Sequence, residues 1–499
     1  MSITPTEWAA LLPLLFPALG ACLIPLMALD RDQATSKWTR AAMYVAALAA
    51  VAAGFWFLTD LWKTGAQPTF HQLHMDRLAQ FSGIFVLVAA AMAILQSWDH
   101  FHQEGWVKGE TVSLLLFSVT GMMLFTATTN FLVLFLGLEL FSLPLYSLVA
   151  TVRHRAEGAE GGMKYFLTGA VASSCFLMGG VLLYGMSGSL DLTTAALSIR
   201  AQGLAADPMV LAGAALLLLG FLFKVSAAPF HQWTPDAYEA SPHPIAGFMS
   251  VATKGVAFIA LLRIFPVSFA GMGAVGVRMQ AALAILAVLT LVIGNLTALV
   301  QTNVKRMLAY SSISHAGYLM LGFVAGTPAA YTGVLFYLVI YLAMNMGAFG
   351  LLTVFGLVGE KTTFEDLRGL GWKRPAMGFA AAVFMLSLAG IPPMGGFYGK
   401  YMIFKELVGT GHVGLAILGV LASLVSAYYY LRFLVALFLQ APSAEAERMA
   451  SDRPAVHTPL AGATVLVSAV IVLVGGFVQA FLAGGFAHRA VSEGLGLLR

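Results

Sequence analysis

The chain has 499 residues, of which 59% are hydrophobic and only 10% are charged, and its formal net charge is +4. Soluble domains carry roughly a quarter of charged residues, so this composition excludes a soluble globular protein and indicates an integral membrane protein. Apolar runs of about twenty residues recur along the whole length, and alternating ten-residue segments are absent, so the spans are predicted to be helices rather than barrel strands.

Hydropathy predicts about fourteen membrane-spanning helices, and the fold class is therefore an all-α polytopic membrane protein. In chain order the predicted spans cover residues 8–28, 40–59, 79–98, 111–128, 130–151, 161–186, 208–228, 243–265, 278–300, 304–326, 329–357, 376–408, 412–440 and 459–486. Two segments outside the spans are polar. Residues 187–207 are predicted to form a short interfacial helix, and residues 441–458 a polar loop.

The seventh and twelfth predicted spans contain helix-breaking residues. The seventh runs into SAAPFHQWTP, and the twelfth contains SLAGIPPMGGFYGK. Proline removes a helical hydrogen bond and glycine weakens the helix, so both spans are predicted to be discontinuous. Irregular backbone at membrane depth is tolerated only against protein or a water-filled cavity, so each break is a candidate site.

The positive charges of the loops predict the orientation of the chain. Alternate loops carry about fourteen Lys and Arg residues on one side of the membrane and about seven on the other. The richer side faces the cytoplasm, so both termini are predicted to lie on the outer side.

No segment resembles a soluble catalytic domain. The chain has no GxGxxG after a strand, no Walker-type phosphate-binding motif and no CxxC, and Cys22 and Cys175 both lie in apolar runs. We therefore expect no NAD, flavin, iron–sulfur cluster or metal in this chain, and any catalysis would belong to partners.

Few charged residues remain at membrane depth once those of loops and termini are set aside. The one acid is Glu139, and the bases are four lysines, Lys164, Lys224, Lys254 and Lys400. A charged side chain at the bilayer centre costs about 2.5–3.5 kcal/mol on insertion scales, so these groups are expected to face a polar interior and to serve function. Lys164 lies near the start of its span, where a side chain that snorkels to the interface is the alternative.

Two arginines, Arg263 and Arg432, lie nearer the ends of their spans. Long cationic side chains near helix ends can place the charge in the headgroup region while the stem stays in hydrocarbon. Both arginines are therefore predicted to snorkel to a membrane interface.

Glu139 lies in NFLVLFLGLELFSLPLYSL, where Pro144 frees the carbonyl of Leu140 beside it. We interpret Glu139 as the partner of a lysine on another span, and a carboxyl that is permanently neutral or locked in an ion pair is the alternative. Desolvation and an opposite charge act in opposite directions on the affinity for a proton. A Glu–Lys pair that opens and closes would therefore shift both affinities, as a proton pump requires.

Two of the lysines lie at the predicted breaks, Lys224 before Pro229 and Lys400 after the PPMGG run. Broken spans with comparable features in the two halves predict duplicated halves in inverted orientation. Lys254 lies in the middle of the eighth span, after small and polar residues.

Three histidines, His231, His243 and His315, are candidate proton relays between the lysines, because histidine titrates near neutral pH. A histidine satisfied at a helix end or pocket wall is the alternative for each. No two of them lie at i, i+4 on one helix, so metal binding is not expected.

Five stretches of the sequence are typical of one family, namely FLGLELFSLPLYSLVA, GGMKYFLTGAVASS, KVSAAPFHQWTPDAYEASPHPIAGFMSVATK, GNLTALVQTNVKRMLAYSSISHAGYLM and GIPPMGGFYGK. On these residues the chain resembles the antiporter-like membrane subunits of proton-pumping NADH:quinone oxidoreductase, respiratory complex I. PFHxWxPD alone marks the wider family, which includes multisubunit sodium/proton antiporters. Thr234-Pro235, FMSVATK and lysine rather than glutamate at Lys400 favour the subunit N branch.

The resemblance implies a fold of two inverted five-helix repeats, with helices 7 and 12 broken. The implied divisions are an N-terminal extension of three helices over 1–110, a first repeat over 111–265, a second repeat over 276–440, and a polar loop with the C-terminal helix over 441–499.

The resemblance also implies roles for the buried charges. Glu139 would face the neighbouring subunit and pair with Lys224, the first channel lysine. Lys254 would be the central connecting lysine, and Lys400 the far lysine from which the proton leaves. Lys164 matches a span-six lysine whose role is less settled.

The implied function is proton translocation coupled to quinone reduction in other subunits of a bacterial-type plasma (inner) membrane complex. NADH, FMN, iron–sulfur clusters and quinone would all be held by those other subunits. The expected partners are membrane-arm subunits and lipid, and not nucleic acid. The alternatives are a subunit of a multisubunit cation/proton antiporter, a subunit of a ferredoxin- or hydrogenase-linked relative, and a largely structural membrane subunit.

Overall fold

The computed structural model describes residues 4–28, 37–103, 109–152, 156–269, 272–355, 362–442, 458–478 and 482–496, and within these ranges helices dominate. The helices of the first half are α1 (Pro5–Leu23), α2 (Lys37–Thr64), α3 (Arg77–Gln103), α4 (Gly109–Thr126), α5 (Phe131–Val149), α6 (Ala156–Ser187), α7 (Leu192–Ala201), α8 (Pro208–Lys224), α9 (Trp233–Ala240), α10 (His243–Phe248) and α11 (Lys254–Ile264). Those of the second half are α12 (Ala274–Leu299), α13 (Val304–Ala325), α14 (Pro328–Val354), α15 (Leu370–Lys373), α16 (Pro375–Ala389), α17 (Gly395–Gly409), α18 (Val413–Phe438), α19 (Pro459–Phe477) and α20 (His488–Gly494).

Short elements complete the described chain. Strands β1 (Thr69–Phe70) and β2 (Leu73–His74) form an antiparallel hairpin before α3. A π-helical segment, Met249–Thr253, joins α10 to α11, so these helices form one continuous rod. Other short helical links are Ile24–Ala28, Leu204–Ala206, Phe265–Phe269 and Leu482–Ala487.

Eleven helical spans in the described part of the chain are long and apolar enough to cross a membrane. They correspond to the predicted spans other than the seventh, tenth and twelfth. The seventh is the 17-residue α8, and the twelfth is divided into α16 and α17, each of 15 residues. The tenth is α13, which has 22 residues but carries several serines. Each predicted span therefore has a helical counterpart, and the polytopic all-α fold is confirmed.

The centre of the molecule is formed by the α10–α11 rod and by α14. In the apolar 18-residue stretch of His243–Ile264, 100% of the residues are buried. The corresponding share is 94% in α14 and only 28% in α18. A helix buried on every side is surrounded by protein, whereas a spanning helix with an exposed apolar face forms part of the surface that the protein presents to lipid. A polar group on the central helices is therefore remote from lipid.

Both predicted breaks are confirmed. After α8 ends at Lys224, the chain passes through residues 225–232 before α9 begins. After α16 the chain turns at Gly390, whose φ of +86° is a conformation that glycine adopts without steric penalty. The peptide bonds Ala228–Pro229 and Pro392–Pro393 are cis.

Glycines bring α5 close to α4. A Cβ atom on Gly121 would lie 2.5 Å from the backbone nitrogen of Phe141, a distance at which a side chain cannot be accommodated. Small residues at such interfaces let membrane helices pack backbone to backbone. This contact fixes α5, the helix that carries Glu139, against the body of the protein.

Residues 187–207 contain the short helix α7, as predicted, with Asp191 as its N-cap residue. The predicted polar loop at 441–458 lies mostly outside the described residues. So do several loop charges used to predict the orientation, namely Arg31, Lys108, Arg153, Arg155, Lys361, Arg448, Arg453 and Arg499.

Candidate functional site

Lys224, at the end of α8, is buried with 2% of its surface exposed. Its Nζ atom donates a hydrogen bond of 2.7 Å to Ser142 Oγ on α5. Four aromatic rings surround Nζ at 5.2–5.8 Å, those of Phe141, Tyr146, Tyr165 and Phe223. We call these four rings the aromatic cage. Ring faces attract cations, so the groups that hold the ammonium, one hydroxyl and four rings, are all neutral.

Glu139, the predicted partner of Lys224, lies three residues before Ser142 on α5 and is half-buried. Among the described residues no ion pair joins Glu139 to Lys224, whose ammonium donates to Ser142 instead. Glu139 Oε1 is buried without a hydrogen-bond partner in the described part of the chain. The Glu139–Lys224 pair therefore stays a prediction, and it requires another arrangement of the two side chains.

Lys254 begins α11 directly after the π-helical segment and is 1% exposed. Its Nζ atom donates a hydrogen bond of 2.5 Å to Ser312 Oγ on α13. Ser312 Oγ also accepts a hydrogen bond of 2.9 Å from the hydroxyl of Tyr341 on α14. The central lysine is thus connected to α13 and α14 through one serine.

His315 follows one turn after Ser312 on α13 and is buried. Its Nδ1 atom lies 2.5 Å from the hydroxyl of Tyr337, and its Nε2 atom lies 3.0 Å from the hydroxyl of Tyr430. The Tyr430 hydroxyl also hydrogen-bonds Ser311 Oγ. Both imidazole nitrogens therefore have hydroxyl partners, an arrangement that can pass a proton along a chain of exchangeable hydrogens.

Lys400 lies on α17, after the second break, and is 3% exposed. Its Nζ atom donates to the carbonyl oxygens of Leu388 at 3.0 Å and Ala389 at 3.3 Å, and lies 4.4 Å from the ring centre of Tyr318. Those carbonyls belong to the last turn of α16, where a helix leaves its acceptors unsatisfied. The break itself thus supplies the oxygen ligands of the ammonium.

Lys400 also lines a groove of about 620 Å³ between α17 and α18. Most of the other lining side chains are apolar, including the exposed Tyr401 and Ile417. The far lysine is therefore buried but adjoins a groove that opens on the surface of the chain.

The other three predicted relay residues have different surroundings. The side chain of Lys164 is 47% exposed and pairs with Glu160 and Asp236. His231 is half-exposed in the segment between α8 and α9. His243 begins α10 and is buried, with its ring 4.9 Å from that of His100 on α3.

The prediction that Arg263 snorkels to a membrane interface is wrong. Its side chain is 0% exposed and forms two hydrogen bonds of 2.6 Å with the carboxylate of Asp76, which is 3% exposed. Arg263 Nε also donates to the carbonyl of Thr126 at 2.9 Å. The charge of Arg263 is compensated by Asp76, which lies in a distant part of the chain just before α3, so the side chain does not extend to the headgroups. Burial, together with the nearby Arg263, lowers the pKa of His74 on β2.

Arg432, the second arginine predicted to snorkel, is half-buried. Its Nη1 atom donates to the carbonyl of Gln301 at 3.0 Å and to that of Leu299 at 3.3 Å, at the end of α12. Its guanidinium also lies 4.4 Å from the ring centre of Phe364. In this structure Arg432 therefore caps a helix C-terminus, an arrangement that its position near a span end did not predict.

The three buried lysines of the predicted proton path differ from Arg263 in their partners. In the described part of the chain, none of Lys224, Lys254 and Lys400 forms an ion pair with a carboxylate, and their partners are hydroxyls, carbonyls and aromatic rings. An ammonium paired with a buried carboxylate is strongly held in the charged form, because breaking such a pair leaves a buried charge uncompensated. With hydroxyls, carbonyls and rings as partners, a lysine that loses its proton leaves no buried carboxylate unpaired.

Known proteins share this architecture. A family described as NADH:quinone oxidoreductase/Mrp antiporter, TM, matches residues 111–426. NADH-quinone oxidoreductase subunit N of Trichlorobacter lovleyi is 43% identical over 442 residues, which cover 88% of this chain and 88% of that protein. A chain of respiratory complex I from Thermus thermophilus is 33% identical, with a TM-score of 0.78 and coverage of 95% of this chain and 99% of that one. A chain of the Mrp complex from Dietzia sp. has a TM-score of 0.79 over 97% of each chain but is 21% identical, so it shares the fold.

Proposed function

The chain belongs to the NADH:quinone oxidoreductase/Mrp antiporter family of membrane proteins, and on that premise we propose that it is a membrane-arm subunit of an NADH:quinone oxidoreductase, respiratory complex I, that translocates protons. The observation that carries the proposal is that the three lysines predicted inside the apolar spans, Lys224, Lys254 and Lys400, are buried and held by neutral groups. Moving one charge against 100 mV requires about 2.3 kcal/mol. Two charges 4 Å apart interact by about 4 kcal/mol at an effective dielectric constant near 20, so a rearranged buried pair supplies energy of the required size.

In this proposal the proton is taken up near Glu139 and Lys224, passes through Lys254, and leaves from Lys400. Ser312, Tyr341 and His315 form the connection between the central lysine and the second half of the protein. Electrons follow another route, since NADH, FMN, iron–sulfur clusters and quinone would be held by partner subunits. The chain would act as the proton-moving part of a translocase and would contact other membrane-arm subunits and lipid.

We extend the proposal to the arrangement of the chain in the membrane. Residues 111–265 and 276–440 would be inverted repeats, each with its fourth span broken, preceded by the extension 1–110 and followed by 441–499. The position of the two breaks, at the end of α8 and between α16 and α17, supports this division. Both termini would lie on the periplasmic side of a bacterial inner membrane, as the loop charges predict.

The proposal is tested in the assembled complex, reconstituted into liposomes, with Glu139→Gln, Lys224→Ala and Lys400→Ala. Each variant is expected to assemble and to move fewer protons per NADH oxidised. Lys405→Ala is the matched control, because Lys405 is an exposed lysine on the same helix as Lys400. If all three variants assemble and pump with wild-type stoichiometry, the proposed proton path is wrong. Sodium/proton exchange by a complex without quinone reductase activity would instead support an antiporter subunit.

A further inference from the structure

Four charged side chains outside the lysine path connect neighbouring helices, and we call them the ion cluster (Lys164, Asp236, Glu239 and Arg306). Lys164 Nζ lies 2.8 Å from Asp236 Oδ2. Arg306 Nη1 lies 2.7 Å from Asp236 Oδ1 and 2.7 Å from Glu239 Oε2. The cluster therefore joins three helices, since Lys164 is on α6, Arg306 is on α13, and both acids are on the short helix α9 between them.

The C-terminal end of α9 is held by the first turn of α13. Asn303 Nδ2 donates to Glu239 Oε1 at 2.9 Å. Lys305 Nζ donates to the carbonyl oxygens of Glu239 and Ser241, at 2.6 Å each, and these are the acceptors that the end of α9 leaves open. α9 has only eight residues and no side-chain hydrogen bond at its N-cap. A helix this short is marginal by itself, so these outside contacts set its position.

The N-terminal end of α9 touches the surroundings of Lys224. Trp233 stacks on Tyr165 with ring centres 4.2 Å apart and an interplanar angle of 10°. Trp233 Nε1 also donates to the carbonyl oxygen of Phe223 at 3.2 Å. Tyr165 and Phe223 are two of the four rings of the aromatic cage. A displacement of α9 would therefore move the cage against the ammonium.

We propose that Asp236 is a positioning residue for proton transfer, which, clamped between Lys164 and Arg306, holds α9 so that Trp233 keeps the aromatic cage closed around Lys224. This inference rests on the proposed function. The side chains of the clamp are 28–47% exposed, and half-exposed ion pairs are weak. The clamp is thus strong enough to bias the position of α9 and weak enough to release it. Lys164, in this view, acts through Asp236 and carries no proton itself.

The test uses the whole complex in liposomes carrying Asp236→Asn, which keeps the shape of the side chain and removes its charge. We expect the rate of proton pumping to fall about three- to tenfold, the size expected for a mutation that couples to a site without touching it. NADH oxidation with an artificial electron acceptor should stay unchanged. Asp236→Glu should restore most of the pumping, which a general loss of packing would not allow.

Glu160→Gln is the matched control. Glu160 also pairs with Lys164, at 2.7 Å, but it lies on α6 itself and forms no part of the contact with α9. Its loss should leave pumping at the wild-type rate. If Glu160→Gln and Asp236→Asn lower pumping equally, the effect belongs to the charge of Lys164 and the clamp is wrong.

Two further variants separate this inference from the proposed function. Wild-type pumping by Asp236→Asn, with pumping lost in Lys224→Ala, overturns the clamp and leaves the proton path standing. Wild-type pumping by Lys224→Ala overturns the proton path itself. If Asp236→Asn fails to assemble, Trp233→Phe decides, because it removes the hydrogen bond to Phe223 and reduces the ring stacked on Tyr165 without altering the ion cluster. Reduced pumping by Trp233→Phe supports the clamp, and an unchanged rate overturns it.

Discussion

Replacing Ser312 by alanine tests the central lysine most directly. Ser312 Oγ is the hydrogen-bond acceptor for Lys254 Nζ, at 2.5 Å, and the described part of the chain offers this ammonium no carboxylate. Lys254 is 1% exposed, and in the apolar 18-residue stretch of its span 100% of the residues are buried. The substitution therefore removes the polar partner of a charge that the surrounding helices shield from the surface.

The size of the effect follows from that geometry. A hydrogen bond to a charged group contributes about 1.5–3 kcal/mol. Losing it raises the free energy of the state in which Lys254 carries the proton, and a barrier higher by that amount slows the step about ten- to a hundredfold. Ser312→Ala should therefore lower the rate of proton pumping about tenfold or more in a complex that still assembles.

The assay measures proton uptake and quinone reduction in vesicles that contain the assembled complex. Ser312→Thr, which keeps the hydroxyl, should retain much of the activity. Ser314→Ala is the matched control, since Ser314 is a buried serine on the same helix whose hydroxyl bonds the carbonyl of Tyr310, at 3.2 Å. Wild-type pumping by assembled Ser312→Ala would refute the assignment of Lys254 and Ser312 to the proton path.

Two other predictions concern buried contacts. Asp76→Ala leaves the charge of Arg263 buried and unpaired, so it should destabilise the subunit by about 3–5 kcal/mol, seen as a lower temperature of thermal inactivation. Replacing both Asp76 and Arg263 by leucine should cost less, and an equal loss would contradict the reasoning. Gly169→Ala places a Cβ atom 2.1 Å from the hydroxyl of Tyr146 and should lower pumping by pushing that ring out of the aromatic cage. Gly185→Ala on the same helix meets nothing within 4 Å and should pump normally, and equal rates for the two variants would count against the cage.

The spans and the buried lysines could be predicted because each leaves a strong local signal. A run of about twenty apolar residues is long enough to cross the bilayer wherever it occurs, so hydropathy located the helices without knowledge of their packing. A lysine inside such a run is costly, so Lys224, Lys254 and Lys400 were visible as exceptions. Proline and glycine marked the breaks for the same reason, since their effect on a helix is local.

The partners of those lysines could not be predicted, because they depend on how the helices are rotated against each other. Ser142, Ser312 and Tyr341 are ordinary residues for a membrane helix, and only packing selects them from the many hydroxyls of the chain. Arg263 shows the same limit. Its position near a span end favoured snorkelling, and its partner Asp76 lies 187 residues away.

The ion cluster could not be predicted from the sequence, for a related reason. Asp236 follows the helix-breaking segment of the seventh span, where a charged residue reads as part of a loop. Lys164 lies near a span end, where the membrane interface explains a lysine. Their meeting depends on α9 folding back between α6 and α13, which no local pattern encodes.

The three lysines are not equivalent, and the difference follows from where the helices end. Lys224 lies in the last turn of α8, but its ammonium bonds Ser142 on α5. The Lys400 ammonium instead bonds the last carbonyls of α16, at the negative end of a helix dipole. Lys254 lies at the junction of a π-helical segment and α11, inside a continuous rod, and its ammonium bonds Ser312 on α13. Among the described residues Ser312 is the hydrogen-bond partner of Lys254, whereas Ser142 and four rings surround Lys224. In the proposed path, the loss of Ser312 should therefore slow transport more than the loss of a single ring from the cage.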